Sequence, residues 1–87
     1  MIRMTVSVPL ALSEQRALEH VTHRVLDAYE GRDWTVSLIP FLTMPGCMLE
    51  VGMDQAFVER RLLDTVSAAE LESALRGVTR RRCGRSS

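Results

Sequence analysis

Three features of the sequence predict an α+β domain of order β-α-β-β-(β)-α, with two helices on one face of a mostly antiparallel sheet of three or four strands. Residues 2–10 alternate apolar and polar side chains, the period of a half-buried strand. Two later segments carry apolar residues at helical spacing. A Pro-Gly pair joins two further alternating segments as a hairpin would. At 87 residues the chain is one domain. A domain of this size buries only about 60–65% of the surface its unfolded form exposes, so its core is a single thin layer.

The first strand places Ile2, Met4, Val6, Val8 and Leu10 on one parity, with Arg3, Thr5 and Ser7 on the other. Ser13 offers an N-cap before Glu14, and Leu18, Val21, Val25, Leu26 and Tyr29 recur at helical spacing up to Gly31. A first helix is therefore expected from Glu14 to Glu30, which acts as a right-handed crossover if strands one and two are parallel. Trp34, Val36 and Leu38 form the inward parity of a second strand, which Pro40 must end or push to a sheet edge. Met44-Pro45-Gly46-Cys47 has the residues of a type II turn, since Pro presets φ and Gly accepts a positive one. A third strand, Cys47 to Met53, follows with Cys47, Leu49, Val51 and Met53 on one face.

Residues 54–64 hold neither period cleanly, because Phe57, Val58, Leu62 and Leu63 make no helical stripe and alternate poorly. A short fourth strand, Phe57 to Leu63, is expected there. The last element is written most fully. Ser67-Ala68-Ala69-Glu70 is a capping box, Val66 and Leu71 form a hydrophobic staple, and Leu71, Ala74, Leu75 and Val78 complete a buried stripe. The domain is expected to span residues 1–78, followed by a basic, flexible tail over 79–87.

Composition narrows the function classes. Apolar residues make up 46% of the chain and charged ones 25%, a globular balance rather than a disordered one. The eleven basic residues are all Arg, a bias expected of GC-rich coding. Two cysteines, Cys47 and Cys83, are too few for a secreted disulfide scaffold, and the alternating N-terminus lacks a signal-peptide core. The longest uncharged run, Trp34 to Leu49, is broken by Pro40, Pro45 and Gly46, so no membrane span is expected. A cytoplasmic location with free thiols follows as the expectation.

Candidate sites for chemistry are sparse. His20 and His23 lie on one helix face near Glu19 and Asp27, but two imidazoles at this spacing read better as a solvated face with i,i+4 pairs than as a metal site. Met44, Cys47, Met48 and Met53 supply soft ligands, yet Cys47 and Met48 must face opposite sides of a strand. No nucleophile with its base, paired carboxylates or phosphate loop is present as a sequence signature. The expectation is a non-enzymatic chain with no cofactor and no metal.

Two surface features remain. Ile39, Phe41, Leu42, Met44 and Met48 cluster around the hairpin, more apolar area than a thin core covers unless the second helix lies over them. Arg76, Arg80, Arg81, Arg82 and Arg85 all follow the last acid, Glu72, whereas residues 1–75 hold six Arg against eleven acids. The zero total charge thus separates into a body of −5 and an end of +5. The first feature and the acidic body point to a protein-binding module, an inhibitor or adaptor that occludes a basic or nucleic-acid-binding surface of another protein. Phage-encoded inhibitors of bacterial defence work in this way, an analogy of size and class only. The Arg run points to the alternative, a nucleic-acid-associated accessory protein whose tail neutralises phosphates. A homodimer through the hairpin is compatible with both.

Overall fold

Alternation, capping and turn chemistry produce, among the described residues, elements in the expected order: β1 (Ile2–Val6), α1 (Leu12–Leu26), β2 (Trp34–Pro40), β3 (Cys47–Met53), β4 (Ala56–Leu63) and α2 (Ala68–Arg82). The computed structural model describes residues 1–29 and 31–82. The strands form one sheet in sequence order, with β1 parallel to β2 and the other two pairings antiparallel. The parallel pair needs a crossover, and α1 supplies it.

β1 is shorter than its alternation suggests. Its last sheet bond is donated by the Ser7 amide to the Leu38 carbonyl at 3.0 Å. Two residues later Pro9 has no amide to give. Val8 and Leu10 still pack against the core from outside the strand.

α1 begins and ends earlier than the expected Glu14 to Glu30. Ala11 is its N-cap residue and Ser13 lies inside the first turn, because Glu14 accepts the Ala11 amide at 3.1 Å. Alanine has no side-chain acceptor, so only this half of a capping box exists. At the other end the Asp27 amide makes the last helical bond, to His23 at 2.8 Å. Tyr29 then turns its ring edge-on to Trp34, with centroids 6.2 Å apart. Gly31 takes a positive φ of 86°, but as part of the following loop rather than as the helix cap. Glu30 lies outside the described residues.

The β3–β4 connection is a two-residue hairpin in which Asp54 and Gln55 have φ of 54° and 68°, the conformation of a type I′ turn. Asp54 anchors it. Its carboxylate accepts from the Asp33 amide at 3.0 Å and from Arg32 at 2.8 Å, and its own amide donates to the Asp33 carbonyl at 2.7 Å. The Asp33 amide and the Arg32 guanidinium hold this carboxyl below the usual carboxylate range. Gly46 adopts the expected positive φ, 97°, and a Cβ there would collide with the Leu63 carbonyl.

β4 is a strand, one residue longer than expected, and its blurred alternation has a cause. Opposite the consecutive residues Val51 and Gly52 stand Glu59 and Phe57, which places a bulge at Val58. Phe57 therefore turns to one face while Val58 packs towards the core.

Both helices cover the same face. Leu18, Val21, Val25 and Leu26 of α1 and Leu71, Ala74, Leu75 and Val78 of α2 bury Trp34, Val36, Leu38, Cys47, Leu49, Val51 and Leu63. Two buried threonines satisfy themselves locally: Thr22 donates to Leu18 at 2.9 Å and Thr79 to Leu75 at 3.0 Å. α2 starts where its cap dictates, since Ser67 Oγ accepts the Glu70 amide at 3.3 Å. It also runs to Arg82, four residues beyond the expected domain end at 78, and Thr79 is buried within the core layer. Residues 79–82 are thus helix and part of the domain, whereas 83–87 lie outside the described residues.

Candidate functional site

Among the described residues, the opposite face of the sheet carries no helix. Cross-strand partners share a face, so the register assembles its rows directly. Ile39, Met48 and Leu62 make one row across β2, β3 and β4. Thr5, Ser37, Glu50 and Arg60 make the next, and Arg3, Thr35, Gly52 and Phe57 the third.

The first row is apolar and adjoins the β2–β3 loop. Leu62 is 65% exposed and Ile39 39%, while Met48 is half-buried between them. Of the expected apolar residues of the loop, Leu42 is 97% exposed and Met44 54%, while Phe41 is partly covered. The expected hairpin residues Ile39, Leu42, Met44 and Met48 are therefore left at the surface by the helices, which cover the other side. Leu62 was not among them. Two leucines adjacent in a strand must face opposite sides, and Leu63 is the one the core takes, which marks Leu62 as outward once β4 is known to be a strand.

The rest of the face is polar. Arg60 lies 5.1 Å over the Phe57 ring and donates to Glu50 Oε2 at 3.1 Å. Beside them a shallow depression of about 350 Å³ is lined by Thr35, Ser37, Glu50, Gln55 and Phe57 and floored by Gly52. Glycine makes the floor, because a Cβ there would press on Thr35 Oγ1. Among the described residues Glu50 is the charged one that lines it.

Up to Arg82 the Arg run is built into α2. Arg76 pairs with Glu72 at 2.7 Å, and Arg24 of α1 reaches the same carboxylate at 2.8 Å. The two guanidiniums hold Glu72 below the usual carboxylate range. Arg81 pairs with Glu59 of β4. Arg80 is exposed and makes no ion pair among the described residues, Arg82 closes α2, and Arg85 lies outside the described residues. Counted over 1–82, the span that contains α2, ten Arg face eleven acids, so the folded body is near neutral rather than at −5.

The metal candidates do not converge. Among the described residues no three His, Cys, Asp or Glu side chains come together as a metal site. His20 and His23 are exposed on α1. Cys47 is in the core, where burial pushes its thiol up, and Met48 is on the other face. Among the described residues no helix is long and apolar enough to cross a membrane.

Comparison with protein-family models, with curated proteins and with solved structures gives no match to this chain.

Proposed function

We propose that this chain is a non-enzymatic protein-binding module that docks on another protein through the apolar end of its open sheet face. The supporting observation is the row Ile39, Met48 and Leu62, continued by Leu42 and Met44 of the adjoining loop. Branched and thioether side chains on adjacent strands form a flat, dehydratable surface of the kind found at interface cores. Glu50, at the depression next to this row, pairs with Arg60 through Oε2, and its other oxygen supplies an acceptor for a polar group of the partner. An inhibitor or adaptor acting by occlusion needs no more than such an anchor and its polar rim. Steering by an acidic body has little support, since the folded span is near neutral.

The test is capture from an extract of the source cells with the wild-type chain, Leu62→Ser, Ile39→Ser and Arg16→Gln as baits. One protein retained by wild type and Arg16→Gln and lost from both sheet-face variants supports the proposal. Retention by the sheet-face variants overturns it. Light scattering on the same proteins detects a second copy at this face as a doubled mass that Leu62→Ser abolishes.

A further inference from the structure

On the other side of the molecule the C-terminal end of α1 lies beside the middle of α2, joined through Arg24, Glu72 and Arg76. A groove of about 200 Å³ runs between them, lined by Arg24, Val25, Ala28, Tyr29, Arg76, Thr79 and Arg80. Among the described residues, the charged side chains of its lining are Arg24, Arg76 and Arg80.

Glu72 does not exhaust them. A guanidinium has five donor hydrogens in a planar fork. Glu72 accepts one bond from Arg24 and two from Arg76. Both forks thus keep free donors while their positions are fixed by the shared carboxylate. Arg80, one helical turn beyond Arg76, adds a cation that no described acid neutralises. The group of Arg24, Glu72, Arg76 and Arg80 carries a formal charge of +2. The last carbonyls of α1 and α2 oppose an anion through their partial negative charge, about half an elementary charge at each helix end, which together remain smaller than that excess. Val25, Ala28 and Tyr29 supply an apolar wall.

We propose that this groove binds a phosphate-bearing anion, held by the forks of Arg24, Arg76 and Arg80. Phosphate oxygens match the guanidinium fork as a carboxylate does and spread charge over more acceptors. The site differs from a basic tail in requiring Arg24, which precedes the Arg run by fifty-two positions and is brought to it only by the packing of α1 on α2. It lies on the helix side, away from Leu62, and is independent of the protein-binding proposal.

The experiment is an amide NMR titration of the full chain with inorganic pyrophosphate and, separately, with a short thymidine oligonucleotide, against sodium chloride at matched ionic strength. Saturable shifts at Ala28, Tyr29, Thr79 and Arg80 are expected, absent with chloride. Arg24→Gln and Arg80→Gln each weaken binding about tenfold, the loss of one charged hydrogen-bonding partner. Arg16→Gln, with the same charge change elsewhere on α1, leaves it intact. Pyrophosphate binding as tightly as the oligonucleotide identifies a free phosphate compound as the ligand type, and tighter oligonucleotide binding identifies a nucleic-acid backbone. Absence of saturable shifts with both probes, or equal weakening by Arg16→Gln, overturns the proposal.

Discussion

Leu62 and Leu63 are adjacent in β4, yet Leu63 is 4% exposed and Leu62 65%. Leu38 and Ile39 repeat the contrast in β2, at 0% and 39%. The same hydrophobic chemistry is spent on folding on the helix side of the sheet and left uncovered on the other. Side-chain burial on one face of a thin domain is set by where the helices lie, and an apolar residue that the helices leave bare is available for contact with something else. The helix side should thus govern stability and the open side association.

The largest effects are expected on the covered side. Leu38→Ala and Leu63→Ala should each cost about 2–5 kcal/mol in urea unfolding, because each leaves a cavity in a core with no second layer to collapse into it. Leu62→Ser should stay within about 0.5 kcal/mol of wild type, as an exposed substitution does. A large loss of stability from Leu62→Ser would erase the contrast between the two faces. Ser67→Ala removes the cap that starts α2 and should cost about 1 kcal/mol. Its measured loss shows how much the cover over β4 depends on that first turn.

A pH series sharpens the account at the far end of the sheet. Asp54 has a lowered pKa in the folded chain, so its contribution is present above the usual carboxylate range and is lost as pH falls from that range through the folded value. Asp54→Asn keeps a side chain that tolerates positive φ while removing the charge. It should lower Tm at neutral pH, with a difference from wild type that shrinks in acid. A difference independent of pH would show that the turn is held by shape rather than by the carboxylate. A small change of opposite sign is expected from Gly77→Ala. A Cβ at Gly77 would come 3.2 Å from the end of the Arg61 side chain, which is free to shift, while alanine gains up to about 1 kcal/mol in a helix interior. A net stabilisation below that figure is expected in thermal unfolding.

Much of this was legible in the residues. The capping box at Ser67 places the start of α2 at Ala68, and alternation assigns the inward faces of β2 and β3 correctly. What was not legible came from tertiary geometry. The bulge at Val58 shifts parity in mid-strand, so no single period describes Phe57 to Leu63. The hairpin at Asp54 and Gln55 lacks the glycine that signals such a turn, and its positive φ angles are stabilised by Arg32 and Asp33, far away in sequence. The end of α2 is not legible because an Arg run resembles a solvated tail, whereas Thr79 is buried and Arg81 pairs with Glu59. For the site, the hairpin residues could be named but not their face, and Leu62 entered only when the register of β4 was known.

The most direct measurement of the central claim is photo-crosslinking from a benzophenone side chain placed at position 62, beside the same group at position 16 on α1, in extract of the source cells. The account predicts one discrete protein adduct from position 62 and none from position 16. Equal labelling from both positions, or labelling from position 16 alone, would contradict it.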